Sequence, residues 1–205
     1  MIEALTVGVL ALQGDVAEHV RVLADEGARP VPVRRADELA GLDGLVIPGG
    51  ESTTIGRLAV LYGLLGPVRA AARAGLPVLG TCAGAILLGR ATLAHDGRPS
   101  DQPLLGLMDV VTRRNAFGRQ VASFETDLAV AGIDGPPLHA VFIRAPWFES
   151  VGPDVEVLAV AETPAGAKVV VARQGHLLAS AFHPELTGDG RLHRAFLQLV
   201  RGAVA

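Results

Sequence analysis

Two hydrophobic patterns divide this chain. In the first half, short and almost unbroken apolar runs alternate with segments whose apolar residues recur every three to four positions. Unbroken runs of this length are the pattern of parallel strands buried on both faces, and the three-to-four spacing is that of amphipathic helices. The runs predict strands over Leu5 to Leu12, Pro30 to Val33, Gly44 to Ile47 and from Leu76 into Cys82. Between them, Asp15 is placed to cap a helix reaching about Glu26, with Val16, Val20 and Leu23 on one face, and Gly27 ends it. Thr53 to Tyr62 and Leu64 to Ala74 read as two helices broken at Gly63. This alternation predicts a doubly wound, mostly parallel sheet flanked by helices, with right-handed crossovers.

In the second half, Gly89 to Pro103 is polar and turn-rich and reads as a surface excursion. Strand-like runs then follow with little helix between them: Leu107 to Thr112, Gln120 to Asp127, His139 to Ile143, Glu156 to Ala161, Ala167 to Arg173 and His176 to Ala181. Short Gly-containing joins such as Gln174-Gly175 suit hairpins, so an antiparallel section is expected to extend the sheet. A last helix, about Gly190 to Arg201, carries Leu192, Phe196, Leu199 and Val200 on one face and leaves a short frayed tail.

Composition narrows the class. At 205 residues the chain suits one domain, 1–205, and the net charge of −3 argues against a nucleic-acid partner. A single cysteine excludes an internal disulfide and points to a reducing, cytoplasmic setting. No apolar stretch approaches the roughly 18 residues of a membrane helix, and no basic segment precedes the first apolar run, so no membrane association is expected. One cysteine and scattered histidines do not form a ligand set, so no metal is expected.

That one cysteine carries the candidate chemistry. In Gly80-Thr81-Cys82-Ala83-Gly84 an apolar run enters, Ala and Leu at helical spacing leave, and glycines stand two places either side of the thiol. Such a pattern reads as a strand, a sharp strained turn and a helix, with the sulfur at the bend and the helix N-terminus favouring its thiolate. A thiol nucleophile needs a base and a group to orient the base. In parallel α/β sheets ligands collect at the carboxyl ends of strands, and two further strand ends qualify. One is Ser180-Ala181-Phe182-His183-Pro184-Glu185, where an extended segment would put His183 and Glu185 on one side. The other is Pro48-Gly49-Gly50-Glu51-Ser52. There the N–H groups of Gly49 and Gly50, with that of Ala83, could form an oxyanion hole. His19, His95, His139, His176 and His193 lack comparable surroundings and read as solvated or packing residues.

The Gly-Thr-Cys-Ala-Gly elbow with His183-Pro184-Glu185 resembles the class I (triad-type) glutamine amidotransferases. Within them, Gly8 to Gly14, Pro48-Gly49-Gly50-Glu51-Ser52-Thr53-Thr54, Arg114 to Gln120 and Phe142-Ile143-Arg144-Ala145-Pro146 are similar to the glutaminase subunits of pyridoxal 5′-phosphate synthase, the PdxT type. The resemblance implies an α/β class I glutamine amidotransferase fold. It also implies a triad of Cys82, His183 and Glu185 that hydrolyses L-glutamine without a cofactor. It places glutamine binding at Gly50, Glu51, Ser52, Arg114, Ile143 and Arg144. It further implies a PdxS-type synthase subunit as partner, whose dodecameric core carries glutaminase subunits, receives the ammonia and switches on an otherwise silent enzyme. Gln13, at the end of the first strand, is expected to transmit docking to the Pro48-Gly49-Gly50 turn. Three rivals remain at this point. They are an amidotransferase subunit serving another acceptor, a DJ-1 or PfpI-like thiol hydrolase, and a non-catalytic module that kept the fold. Ala83 rather than histidine after Cys82 disfavours the second, and retention of all three triad residues disfavours the third.

Overall fold

The structure, a computed structural model, describes residues 4–116, 123–163 and 166–204. Its first half runs β1 (Thr6–Leu10), α1 (Val16–Asp25), β2 (Arg29–Val33), β3 (Gly44–Ile47), α2 (Ser52–Leu61), α3 (Leu65–Arg73), β4 (Val78–Thr81) and α4 (Ala83–Leu88). The second half runs β5 (Gly89–Leu93), β6 (Met108–Arg113), β7 (Ser123–Leu128), β8 (Leu138–Ile143), β9 (Trp147–Val151), β10 (Glu156–Ala161), β11 (Lys168–Gln174), β12 (Leu177–Ser180) and α5 (Arg191–Val204).

The main sheet has the order β2-β1-β3-β4-β12-β11-β9-β6-β5, with β10 also paired to β11. From β2 to β12 every pairing is parallel, and β1, β3, β4 and β12 are buried along their whole length. This is the reason these segments read as unbroken apolar runs: neither face meets water. The expected antiparallel extension begins at β11 and continues through β9 and β6. Burial of each large apolar side chain supplies about 1.5–3 kcal/mol. The amphipathic α5 contributes Phe196 and Val200, both 0 % exposed. They lie against Gly44 of β3, where a Cβ would come within 2.8 Å of Val200. No single helix is long and apolar enough to cross a membrane among the described residues.

Five expectations are corrected. Gly89 to Pro103 is not purely an excursion, because β5 pairs parallel with β6. Its signal is masked by the buried Thr92, whose hydroxyl accepts from that of Thr112 at 2.9 Å, so a polar pair occupies apolar positions. β9 was not anticipated; it is short and leaves Glu149 and Ser150 exposed, yet it bridges β6 and β11. The strand expected from Gln120 begins, among described residues, at Ser123 and forms a separate two-stranded sheet with β8. Helix α5 continues to Val204 where a frayed tail was expected. Asp15 stands at the N-cap of α1 but makes no side-chain cap bond there.

Candidate active site

The strand order reverses at β1: the chain steps to β2 on one side and then to β3 on the other. The loops that leave β1 and β3 therefore diverge at one crevice, the usual ligand position in such sheets. β4 and β12 lie next to β3, and their register pairs Thr81 with Ser180. Cys82 follows Thr81 directly and donates its backbone N–H to the Ser180 carbonyl at 2.8 Å. Parallel pairing thus brings a mid-chain thiol and a histidine near the C-terminus to the same sheet edge.

The elbow is strained at its apex. Cys82 has φ 47° and ψ −102°, which a non-glycine residue rarely adopts. The flanking glycines serve close approach rather than the turn angle. A Cβ on Gly80 would lie 2.6 Å from the Gly84 backbone, and one on Gly84 would collide with the Ile47 carbonyl. The glycine spacing therefore reports how tightly α4 sits on β3 and β4.

His183 and Glu185 meet as expected, but not on an extended segment. After His183 the chain turns into a short 3-10 helix, Pro184–Leu186, which folds the carboxylate back onto the ring. His183 Nδ1 lies 2.7 Å from Glu185 Oε1, with Glu185 fully buried. A second carboxylate, Asp15 Oδ2, stands 3.3 Å from the same nitrogen. Its proximity explains the missing cap bond of Asp15. Burial opposes the charged form of His183, but hydrogen bonding to Asp15, to the Cys82 sulfur and to Glu185 outweighs it and pushes the imidazole up to about 12. The His183 contact lowers Asp15, while burial raises Glu185. Ligand atoms of Asp15, His183 and Glu185 lie within 4.8 Å of one another. That closeness follows from two carboxylates serving one imidazole nitrogen.

Behind Glu185 lies a pair that sequence reading assigned to packing. His19 and His193 are both fully buried, with His19 Nδ1 2.9 Å from His193 Nε2. Their spacing along the chain carries no signal, because helix α1 meets α5 only in the fold.

The cavity in front of the thiol has a volume of about 480 Å³. Its wall includes Cys82, Ala83, His183, Gly50, Glu51 and Ser52, and also Arg114, Ile143, Arg144 and Gln13. Two candidate residues stand outside this wall. Glu185 is behind His183, and Gly49 lies under the imidazole, where a Cβ would collide with the ring. The Gly49 carbonyl accepts the Asp15 N–H at 3.2 Å, and the Gln13 side-chain oxygen accepts the Glu51 N–H at 2.7 Å. The loops after β1 and β3 are thereby locked together.

Glu51, for which the sequence offered no partner, has several. Its carboxylate accepts the backbone N–H groups of Thr53 at 3.1 Å and Thr54 at 2.7 Å, capping α2. Partial burial raises its pKa, but these bonds and those from the threonine hydroxyls outweigh burial and hold it at about 2. Arg114 Nη2 pairs with Glu51 Oε1 at 2.7 Å. Arg114 Nη1 also donates to Thr53 Oγ1 and to Gln102 Oε1, each at 2.8 Å. Gln102 was missed because it sits in the polar stretch read as surface, yet it is nearly buried and orients the arginine. Arg144 has φ 45° and Asn115 φ 46°, so both loops across the cavity carry backbone strain. The Ala116 N–H joins these loops by donating to the Ala145 carbonyl at 3.1 Å. Phe117 to Gln120, the rest of the arginine motif, lies outside the described residues.

The chain matches the model of the SNO glutamine amidotransferase family over residues 9–201. It is 65% identical over 198 residues to a protein of Frankia alni named pyridoxal 5′-phosphate synthase subunit PdxT, covering 96% of each chain. It is 58% identical over 197 residues to the protein of that name from Acidothermus cellulolyticus, covering 95% of this chain and 93% of the other. A solved crystal structure described as a glutamine amidotransferase superposes with a TM-score of 0.87 at 50% identity, covering 95% of this chain and 98% of that one.

Proposed function

This chain belongs to the SNO glutamine amidotransferase family, and on that premise we propose that it hydrolyses L-glutamine to L-glutamate and ammonia and delivers the ammonia to a PdxS-type synthase for pyridoxal 5′-phosphate formation. The observation that carries the reading is that Cys82 and His183, with Glu185 behind the ring, line a cavity that Arg114 and Glu51 also line. The relatives named as pyridoxal 5′-phosphate synthase subunits support this acceptor over that of another amidotransferase.

Cys82 Sγ attacks the side-chain amide carbon of glutamine. The oxygen becomes an oxyanion, which we assign to the N–H groups of Gly50 and Ala83 at the cavity wall, with Gly49 in the turn beneath. His183 owes part of its raised proton affinity to its contact with the Cys82 sulfur. Once sulfur bonds to carbon that contact no longer favours the charged ring, and the imidazolium becomes a better acid. It protonates the departing nitrogen, which leaves as ammonia with collapse to the thioester. Neutral His183 then takes a proton from water, whose oxygen attacks the thioester carbon and releases glutamate and the thiol. Glu185 orients the ring throughout.

Free glutamine is a zwitterion. In this structure Arg114 and Glu51 satisfy each other, so an α-carboxylate and an α-amino group can replace that pairing without stranding a charge. Ser52, Ile143 and Arg144 complete the wall around that end of the substrate. Ammonia freed into water at neutral pH becomes ammonium and ceases to be a nucleophile, so a docked synthase with a sheltered route is part of the proposal. Gln13 is the proposed link to docking, supported by its bond to the Glu51 N–H.

The test mixes the protein with a PdxS-type synthase and assays glutamate and pyridoxal 5′-phosphate. Glutamine hydrolysis is expected to be weak alone and strongly stimulated by the synthase. Cys82→Ala should abolish synthesis from glutamine and leave synthesis from ammonium salt intact. Glutamine use by the Cys82→Ala complex would overturn the assignment of the nucleophile.

A further inference from the structure

We infer that His19 is a positioning residue of the relay, presenting its Nε2–H to Thr81 and to the far side of Glu185, with His193 holding it in that tautomer. The inference rests on the proposed glutaminase reaction for its consequences, but its geometry stands apart from the substrate.

Glu185 uses Oε1 on His183 and, among the described residues, finds no conventional hydrogen bond for Oε2. A buried carboxylate with one bare oxygen is costly and is satisfied by whatever donor lies nearest. That donor is His19 Nε2, 3.4 Å from Oε2, with both side chains at 0 % exposure. The same nitrogen is 3.0 Å from Thr81 Oγ1, the residue that precedes the nucleophile. The hydrogen bond goes to Thr81, and Oε2 stands within electrostatic reach of the same N–H, so one ring ties helix α1 to the elbow and faces the acid.

The tautomer follows from the next ring. Donation from Nε2 leaves His19 Nδ1 as a lone pair, which must accept from His193 Nε2–H at 2.9 Å. His193 Nδ1 is then a bare nitrogen, and it is the atom of that ring with no partner. Charging His19 would instead put a proton on Nδ1 and force His193 to accept through Nε2. The only proton of His193 would then sit on Nδ1, a buried donor with no acceptor, which is rarer and costlier than an unused lone pair. The arrangement of partners thus selects two neutral rings, and burial acts in the same direction on both.

Several groups face this relay. His19 and Asp15 come from α1, His183 from the same turn as Glu185, and Thr81 and Cys82 from the elbow; His193 comes from α5. Of these, His19 brings a ring N–H closest to Oε2 among the described contacts, at 3.4 Å; the backbone N–H of Glu185 and the Asp15 carboxylate also act on this acid. An N–H facing Oε2 favours ionised Glu185 and aims its other oxygen at His183 Nδ1. Without it, burial drives Glu185 toward its neutral form, and the imidazolium formed in each cycle loses its counter-charge.

Two measurements test this. Nitrogen-15 NMR of the histidine-labelled wild-type protein at pH 7 should show His19 neutral and protonated on Nε2; protonation on Nδ1 overturns the inference and needs no variant. In the synthase complex, His19→Phe should lower kcat for glutamine about tenfold or more, leave KM within about twofold, and raise the acid limb of the kcat profile by about one pH unit. His19→Gln, which can place an amide N–H near the same point, should restore most of the rate. A folded His19→Phe complex with wild-type kcat and an unmoved acid limb overturns the inference. Absence of glutaminase activity in the wild-type complex would instead count against the proposed function, and the NMR result would still decide the tautomer.

Discussion

Acid should destabilise this fold through the histidines behind the relay, and His193 allows the size to be worked out. Burial lowers its pKa from the ordinary 6.5 to about 4. Between those values an unfolded chain binds a proton on this residue and the folded chain does not. Stability therefore falls as pH falls through that window, by about 1.36 kcal/mol per unit. Because the unfolded histidine is only half protonated at pH 6.5, the loss from His193 alone between pH 6.5 and 4.5 is about 2 kcal/mol, a large part of the roughly 5–15 kcal/mol that holds a typical domain together. His19 is depressed for the same reason and adds in the same direction. His183 is shifted the other way, so its contribution is nearly complete once pH drops below the ordinary 6.5, and it adds little slope over most of this window. His193→Gln keeps an amide donor toward His19 but cannot titrate. Urea unfolding followed by circular dichroism should give similar midpoints for wild type and variant at pH 7. At pH 4.5 the variant should be more stable by about 2–3 kcal/mol, or about 1 M urea at a slope near 2–3 kcal/mol/M. If the gap between the two midpoints is the same at both pH values, the buried neutral state of His193 is wrong.

Two further outcomes follow from the cavity. Gln102→Ala removes an acceptor from Arg114 and from the Ser52 and Thr53 hydroxyls. Loss of a bond to a charged group costs about 1.5–3 kcal/mol, so KM for glutamine should rise by about tenfold or more with kcat little changed in steady-state assays of the complex. Gln13→Ala frees the Glu51 N–H and unlocks the β1 and β3 loops. Synthase-stimulated glutaminase activity should fall by about tenfold while binding to the synthase, measured by calorimetry, changes less; stimulation at the wild-type level would remove Gln13 from the coupling.

The legible parts of this protein are those where local chemistry and global position coincide. β1, β3, β4 and β12 are buried on both faces, so their apolar runs are unbroken and could be read directly. The elbow was legible because Gly80 and Gly84 are needed wherever a helix must sit this close to a strand. β5 and β9 were not, because their burial is partial and a Thr92–Thr112 pair replaces apolar contact.

By itself, the sequence determined which atoms could do chemistry: one thiol, and one histidine with an acid two places on. It also determined the alternation that makes a parallel sheet. Tertiary structure alone decided what surrounds them. Asp15 left its helix cap for His183, Gln102 came from a polar stretch to steady Arg114, and His19 met Glu185 and His193 from opposite ends of the chain. Residues 174 positions apart leave no trace in local spacing. They meet because parallel pairing of β12 with β4 carries the C-terminal segment to the edge where Cys82 stands.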